Sequence, residues 1–508
     1  MDDAKVEEGP RASQSDKDER DAIEAAARKR GMDEDQIAQF RRFNEADAEW
    51  HQNMRKKLLR KVDLHLLPLL VTMYLLNFLD RNNLSQARLG TLEKDLGMTG
   101  TDFNLATSIL FVGYTIMQLP SNLLLTRLPP SLYLGFAMTI WGVISTAQAA
   151  TRSFSGLIAA RFFLGFAEAP FFPGAIFLMS SWYTRKEMAY RIAWFYSGSS
   201  LSNAFGGLIG AGVLSGLSGA HGISGWRWLF IIEGVITISV ALTSTLILPN
   251  FPTNTKWLTP EEQAYAQWRL IDDTGEADVA DAISIKEGVK MAFKDPKLYI
   301  FTLLQHVSLL SQSFQYFFPT IVATLGFGSI DTLLLTAPAW IVTFFVSLVA
   351  TYTSGRFGDR SIHIICLMLI SVVGNIIAVS TLNTGARFFA IFLLPIGAIT
   401  AYQIILAWVA NSFPRPLVKR SACISFANLV GNAANIYGSY MYPASDGPRY
   451  LGGGAATAAV ALLVAILAGV VRLILQRENR KLEERDTTES DDAARRPGEV
   501  PHGFRYIL

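Results

Sequence analysis

Twelve long apolar stretches, almost free of charged residues, limit what this chain can fold into more than any other feature. Each approaches the roughly 20 apolar residues that an α-helix needs to cross the hydrocarbon core of a bilayer. Because lipid offers no partner to backbone N–H and C=O groups, segments of this kind must be helical. The pattern therefore predicts an all-α integral membrane protein. The predicted spans are 63–82, 103–125, 131–150, 156–180, 192–214 and 228–248, then 298–321, 332–353, 362–381, 388–411, 421–442 and 452–474.

Polar segments divide these spans into two groups of six. Half of the 508 residues are hydrophobic and only 17% are charged, which is more apolar material than one water-soluble core requires. The charged residues gather at both ends and in the middle of the chain. We therefore predict twelve transmembrane helices in two six-helix halves. The predicted segments are an N-terminal tail (1–62), an N-terminal half (63–249), a central loop (250–297), a C-terminal half (298–474) and a C-terminal tail (475–508).

The central loop contains a helix start at Thr259-Pro260-Glu261-Glu262. It combines an N-cap hydroxyl, a proline in the first turn and acidic residues near the positive end of the helix dipole. One helix through Leu270 and another near 284–294 are expected to lie on the membrane surface. The first 50 and last 30 residues are rich in charge and are expected to be mobile.

The two halves share features that a duplicated six-helix unit would produce. Arg161-Phe162-Phe163 opens the fourth predicted span and Arg387-Phe388-Phe389 opens the tenth. Asp102 precedes the second span much as Asp331 precedes the eighth. We therefore expect the halves to be pseudo-symmetric.

Basic residues in the short connections predict the orientation, because cytoplasmic loops carry an excess of Lys and Arg. With the N-terminus inside, the cytoplasmic connections are basic, whereas the opposite connections near 215–225, 323–331 and 382–386 contain no Lys or Arg. Both termini are therefore predicted to be cytoplasmic. The basic residues are Arg127, Arg185, Lys186, Arg191, Arg356, Arg360, Arg415, Lys419 and Arg420.

Several classes of function find no support in the sequence. Cys366 and Cys423 fall in apolar stretches and indicate neither a disulfide framework nor a metal site. No GxxxxGK[ST] phosphate loop, HExxH motif or Cys/His metal spacing occurs. We therefore predict no enzyme activity, cofactor, metal or nucleic-acid partner. The expected partners are the bilayer, a small substrate and protons, and the expected assembly is a monomer.

A few ionisable residues lie inside the predicted spans, where each costs several kcal/mol unless it serves a purpose. Arg161 and Glu168 are seven residues apart, so their side chains project from one helix face. Arg81 and Arg161 are candidate carboxylate ligands, because a guanidinium presents a planar fork of donors. Glu168 and Asp80 are candidate proton-coupling groups. Alternatively, Asp80 and Arg81 pair with each other at headgroup depth, and Arg161 extends toward the interface.

Neutral polar residues within the predicted spans are candidates for substrate selectivity. Asn428, Asn432 and Asn435 are spaced four and three apart, which places them in one stripe on a helix. His306 is either a packed histidine or a cation near an anion path. Hydrogen bonding between helices is the alternative for any single Asn or Gln. The candidate substrate ligands on this basis are Gln118, Asn122, His306, Gln315, Tyr316, Tyr402, Gln403, Asn428 and Asn432.

A glycine turn between the eighth and ninth predicted spans carries Asp359 between two arginines. Such a turn can join neighbouring helix ends and release them during a conformational change. We predict a conformational latch formed by Gly355, Gly358, Asp359 and Arg360.

The turn at 355–360 is similar to the signature loop of the major facilitator superfamily. Further motifs resemble the anion:cation symporter family within it, and most closely the fungal allantoate and nicotinate permeases. The resemblance covers roughly residues 60–475. It rests on residues 77–83, 118–122, 161–165, 168–174, 225–230 and 248–262 and on Asp295-Pro296.

This resemblance implies proton-coupled uptake, across the plasma membrane, of an organic anion such as nicotinate, pantothenate, biotin or allantoate. In the related vesicular glutamate branch, two arginines and a glutamate serve substrate and proton, and Arg81, Arg161 and Glu168 match those positions. Thr107 and His306 depart from that branch, which argues against a glutamate-like substrate. The alternatives are a proton-antiport exporter of a secondary metabolite or toxin and a membrane sensor that binds a metabolite without moving it.

Overall fold

A computed structural model shows that the chain is mostly helical in the part it describes. The described residues are 34–125, 128–252, 255, 257–278, 284–413, 417–488 and 504–508, and they contain no β-strand. All twelve predicted spans coincide with a helix or with a pair of consecutive helices. The predicted all-α fold is therefore confirmed.

The N-terminal tail and the N-terminal half together form nine α-helices in the described residues. The fourth predicted span is broken into two helices at Ala169 and Pro170, because a proline has no N–H to continue the backbone ladder. The helices are α1 (Glu34–Glu45), α2 (Ala48–Ala87), α3 (Leu92–Leu96), α4 (Asp102–Leu125), α5 (Pro130–Gln148), α6 (Phe154–Glu168), α7 (Phe171–Ser180), α8 (Arg185–Gly216) and α9 (Gly225–Ile247).

The central loop and the C-terminal half continue the same pattern. The seventh predicted span is interrupted by a 3₁₀ turn at Ser313–Phe317. The helices are α10 (Pro260–Asp278), α11 (Ile285–Lys294), α12 (Pro296–Ser311), α13 (Phe318–Ala323), α14 (Ser329–Phe357), α15 (Ser361–Ser380), α16 (Thr384–Ser412), α17 (Leu417–Gly438) and α18 (Leu451–Thr488).

Seven of the described helical segments are long and apolar enough to cross a membrane, by length and composition. They are α2, the α6–α7 pair, α9, α14, α15, α16 and α18. The count of twelve spans is consistent with the helices but stays a prediction.

Glycines let helices within each half approach closely. A Cβ at Gly165 of α6 would lie 1.9 Å from the Leu110 carbonyl oxygen of α4, and one at Gly113 would lie 2.2 Å from the Phe162 oxygen. Small residues permit such backbone contact where lipid provides no hydrophobic driving force between helices. Between the halves, α8 packs on α14, and Gly207 faces Leu333 and Thr336.

The end of the bundle that carries the start of α2, the end of α18 and the central loop is called the terminal side below. The predicted helix start in the central loop is present, because Thr259 and Glu262 exchange capping hydrogen bonds of 3.0 and 3.2 Å. Lys61 of α2 donates to Glu262 of α10 at 2.7 and 2.8 Å. In contrast, Gly288 of α11 packs against Val418 of α17. The two central helices therefore dock on different halves.

The expectation of mobile tails is wrong for the described parts of both tails. Ile37, Phe40 and Phe43 of α1 are buried, because α1 packs its apolar face against α10. Helix α2 already begins at Ala48, and α18 continues to Thr488. Residues 504–508 lie against the C-terminal half. The rest of the predicted tails, 1–33 and 489–503, lies outside the described residues.

Candidate functional site

A cavity between the two halves brings together residues from both of them. The space in it that is open to the centres of water-sized molecules is about 60 Å³, which is small for an organic molecule. The residues that line the cavity must therefore move apart before such a molecule can enter. Among the described residues, Arg81 is the one charged side chain in the lining. The other lining residues are Tyr74, Asn77, Phe78, Tyr114, Phe172, Tyr196, Ser199, Leu309, Gln312, Gln315, Tyr316, Ile399, Tyr402, Asn428, Asn432 and Asn435.

Arg81 of α2 is paired with Glu168 at the end of α6. Its Nε and Nη2 donate to Glu168 Oε2 at 2.9 and 2.6 Å. Glu168 is 1% exposed, and its Oε1 has no hydrogen-bond partner among the described residues. The pair therefore joins a cation on the cavity wall to a carboxylate behind it.

Aromatic rings surround the Arg81 guanidinium. Its Cζ lies 5.1 Å from the ring centroid of Phe78, 5.7 Å from that of Phe111 and 5.2 Å from that of Tyr114. Ring faces attract a cation, most strongly where water is excluded. These rings hold the guanidinium in place without adding a second negative charge that would compete with Glu168.

Arg161 is also buried, at 1% exposure, but it does not line the cavity. Its Nε donates to the Ala106 carbonyl at 3.3 Å and its Nη2 to the Arg81 carbonyl at 3.1 Å. Nη1 has no partner within the described part of the chain. The guanidinium thus links α6 to the backbones of α4 and α2 directly beneath Arg81.

Three tyrosines narrow the cavity toward the terminal side. The ring centroids of Tyr74 and Tyr196 are 5.5 Å apart, and those of Tyr196 and Tyr402 are 5.8 Å apart. Tyr402 belongs to α16 of the C-terminal half, whereas Tyr74 and Tyr196 belong to α2 and α8. The layer therefore spans both halves.

The halves also contact each other on the opposite side of the cavity. Ser85 Oγ of α2 donates to the Tyr316 carbonyl at 2.5 Å. Asn104 Nδ2 of α4 donates to the Ser439 carbonyl at 2.6 Å. These contacts join the end of α2 and the start of α4 to the 3₁₀ segments Ser313–Phe317 and Ser439–Met441 of the C-terminal half, and they close the cavity on this side.

The C-terminal half contributes amides to the cavity. Asn428, Asn432 and Asn435 of α17 all line it, as expected of a single stripe. Gln305 Nε2 donates to Asn428 Oδ1 at 2.5 Å, and Asn432 Nδ2 donates to the Asn428 carbonyl at 2.9 Å. Gln315, Tyr316 and Tyr402 also line the cavity, and their role as substrate ligands stays a prediction.

Other candidate substrate ligands lie elsewhere. His306 Nδ1 donates to the Val430 carbonyl at 2.7 Å, and its Nε2 forms a hydrogen bond with Tyr437 Oη at 2.5 Å. It therefore serves packing between α12 and α17. Gln118 and Gln403 are buried but absent from the described lining. The side chain of Asn122 lies outside the described residues.

Asp80 faces away from the cavity, although it adjoins Arg81 in sequence. It accepts from Ser145 Oγ at 2.6 Å, Thr237 Oγ1 at 2.8 Å and Trp141 Nε1 at 3.2 Å. The alternative in which Asp80 pairs with Arg81 is therefore wrong. Successive helix positions differ by about 100°, so the two side chains point to different neighbours.

The glycine turn lies on the terminal side. Gly358 ends α14 in the left-handed conformation, with φ 63°, which glycine adopts without strain. Asp359 pairs with Arg472 of α18 at 2.5 Å, and its Oδ1 accepts from the Ile362 N–H at 3.1 Å. The Asp359 carboxylate thus joins α15 to α18, while Gly355 has open space around it.

Sequence reasoning selected Tyr316 and Tyr402 but missed the other aromatic residues of the lining. Tyr74, Tyr114, Tyr196 and Phe172 are common core residues, and nothing in their spacing separates a cavity wall from helix packing. Asn77 was visible only as part of a family-like motif. Its position one helical turn before Arg81 was an available signal.

The sequence profile of the Major Facilitator Superfamily matches residues 70–439. A Penicillium expansum protein named "MFS-type transporter cnsO" is 35% identical over 499 residues, which cover 94% of this chain and 95% of that protein. "Major facilitator-type transporter hxnP" of Emericella nidulans is 32% identical over 438 residues, covering 84% and 87%.

The fold is similar to that of a bacterial homologue of the human lysosomal transporter Spinster, solved in an inward-facing, unoccupied conformation. The TM-score is 0.60 at 18% sequence identity, with 80% of this chain and 95% of that chain covered. This likeness bears on the fold alone. Assignment to the anion:cation symporter family stays a prediction.

Proposed function

Since this chain belongs to the Major Facilitator Superfamily and is a transporter, not an enzyme, we propose that it takes up a small organic anion together with protons by alternating access. The observation that carries this proposal is the Arg81–Glu168 pair on the cavity wall. The terminal side would then be cytoplasmic, and the membrane would be the plasma membrane.

The pair supports coupling because the anion and Glu168 would compete for one guanidinium. A substrate carboxylate matches the donors of Arg81, which already bind a carboxylate in the structure. Displacing Glu168 would leave an unpaired carboxylate at a site that is 1% exposed, which is costly. A proton on Glu168 removes that cost. Anion and proton would therefore bind together.

The cavity boundaries support alternating access. The contacts Ser85–Tyr316 and Asn104–Ser439 would separate to admit substrate from outside. The layer of Tyr74, Tyr196 and Tyr402 would separate to release it to the cytoplasm. A small cavity closed at one end and narrowed at the other is suited to such a sequence of states.

The cavity chemistry fits a compact carboxylate with additional hydrogen-bonding groups. One cation faces the amides of Gln312, Gln315, Asn428 and Asn432. A vitamin-like carboxylate such as nicotinate or pantothenate, or a ureide such as allantoate, offers both kinds of partner. We place Arg161 behind Arg81 as a positioning residue, because it bonds the Arg81 carbonyl.

Uptake in transport-deficient yeast tests the proposal. Cells expressing the chain would receive labelled nicotinate, pantothenate, biotin and allantoate at acidic and neutral outside pH, with Arg81→Ala as the matched control. We expect accumulation of one compound that acid stimulates and a protonophore abolishes. No uptake by protein shown to be at the cell surface would contradict the proposal, and efflux from preloaded cells would then identify an exporter. Binding without flux in liposomes would identify a sensor.

A further inference from the structure

Residues 504–508, called the strap below, lie across the terminal side of the C-terminal half. The Arg360 N–H and the Ser361 N–H both donate to the Leu508 oxygen, the latter at 3.2 Å. These N–H groups begin α15 and have no partner inside that helix. An acceptor oxygen at this position also interacts favourably with the helix dipole. The strap therefore caps the ninth predicted span.

Tyr506 is the anchor of the strap. It is 9% exposed, and Asn479 of α18 forms two hydrogen bonds with its backbone, at 2.9 Å to the carbonyl and 2.8 Å from the N–H. Lys297 of α12 donates to its hydroxyl at 2.8 Å and lies 4.4 Å from its ring centroid. Tyr506 thereby joins α12, through its side chain, to α18, through its backbone.

Two further contacts fix the strap on either side of Tyr506. Trp408 Nε1 of α16 donates to the Ile507 carbonyl at 2.9 Å. Arg505 pairs with Asp486 of α18 at 2.7 Å. The strap therefore contacts the ends of α12, α15, α16 and α18, next to the Asp359–Arg472 pair.

We propose that this face is a peptide-binding surface, that its occupant is the strap of the same chain, and that docking joins four helix ends into one rigid unit. The surface binds the backbone of the strap as well as its side chains, because Asn479, Trp408 and the start of α15 all form hydrogen bonds with main-chain groups of the strap. Lys297 and Asp486 then select for a tyrosine preceded by an arginine.

Hydrogen exchange on the full chain in detergent tests the proposal without any substrate, so its outcome is independent of the proposed function. We compare the full chain with a variant that ends at Gly503. Loss of the strap should speed exchange of the Arg360 and Ser361 amides at least about tenfold, the change that about 1.4 kcal/mol produces. Unchanged exchange would overturn the proposal.

Addition of a peptide to the shortened variant tests whether the surface binds in trans. The probe is acetylated Phe-Arg-Tyr-Ile-Leu, offered both as free acid and as C-terminal amide, with a scrambled peptide as control. We expect saturable restoration of amide protection by the native order alone. Failure of both forms to protect, or equal protection by the scrambled peptide, would overturn the proposal.

A point variant covers the case in which the shortened chain fails to fold. Lys297→Met removes the donor to Tyr506 while keeping an extended side chain at α12. It should speed exchange at Arg360 and Ser361, although these amides never contact Lys297. Lys294→Met, an exposed change at the end of α11, is the matched control and should change nothing. Equal behaviour of the two variants would contradict the proposed docking.

Discussion

Arg81 donates two hydrogen bonds to a single oxygen of Glu168, Oε2, and a longer one of 3.4 Å to Asn77 Oδ1, while Glu168 Oε1 has no hydrogen-bond partner among the described residues. A carboxylate bound in this way retains a free acceptor on the side away from the cation. Glu168 is thus bound by Arg81, and its Oε1 can still accept a further hydrogen bond. The first two predictions concern this pair, and the third and fourth concern helix packing.

The first prediction concerns proton coupling by Glu168. The change Glu168→Gln removes the ionisable group and keeps its size, so Arg81 becomes permanently available to the anion. We expect loss of acid-driven accumulation in yeast, while exchange of preloaded substrate persists in part. Both are measured as flux of the labelled compound that the uptake panel identifies. Glu261→Gln, an exposed change on α10, is the control. Unchanged accumulation by the Glu168 variant would remove this residue from coupling.

The second prediction concerns the geometry of the cation. Arg81→Lys keeps the charge but loses the planar fork of donors. Loss of one charge-assisted hydrogen bond costs about 1.5–3 kcal/mol, so we expect the substrate concentration at half-maximal uptake to rise roughly 10- to 100-fold. The concentration dependence of initial uptake measures this. A half-maximal concentration equal to that of the wild type would place substrate recognition elsewhere in the cavity.

The third prediction concerns docking of α10 on α2. Burial alone would raise the pKa of Glu262, but hydrogen bonds from Lys61, the Thr259 N–H and Lys57 outweigh it and lower the pKa from 4.5 to about 2. A carboxyl with a lowered folded-state pKa stabilises the fold above its unfolded pKa, and this contribution disappears as pH falls toward the folded value. Glu262→Gln should therefore lower the thermal unfolding temperature at pH 7.

Acidification from pH 4.5 to the lowest pH that the detergent-solubilised protein tolerates should lower the thermal unfolding temperature of this variant less than that of the wild type. Thermal unfolding at several pH values measures both effects. Glu261→Gln again serves as control, because Glu261 is exposed in the first turn of the same helix. Parallel pH curves for wild type and Glu262→Gln would contradict the assignment.

The fourth prediction concerns close helix packing beneath the site. A Cβ at Gly165 would lie 1.9 Å from the Leu110 carbonyl oxygen, so Gly165→Ala must push α6 away from α4. Overpacking typically costs about 1–3 kcal/mol, and here it would also displace Glu168 on α6. We expect reduced thermal stability and reduced uptake.

Gly212→Ala is the matched control for this change, because nothing lies within 4 Å of a Cβ built at Gly212. In a helix this substitution should be neutral or slightly stabilising. Comparable losses in both variants would show that the packing of α6 on α4 is not the cause.

The sequence alone predicted the helical architecture and the residues of the central pair. A bilayer forces apolar spans to be helical and makes any buried charge conspicuous. For that reason the spans, Arg81 and Glu168 stand out without knowledge of the fold. The stripe of Asn428, Asn432 and Asn435 was equally visible, because helical periodicity places its members on one face.

Which neighbour a side chain meets depends on how the surrounding helices pack against its own helix. Asp80 and Arg81 are adjacent in sequence, yet one bonds Ser145 and Thr237 while the other lines the cavity. The tyrosine layer joins three distant helices, and the strap contacts Lys297 across 209 residues of sequence. Hydrophobicity and helical periodicity can be recognised in a local stretch of sequence. Contacts between residues far apart in the sequence form only when all the helices pack together.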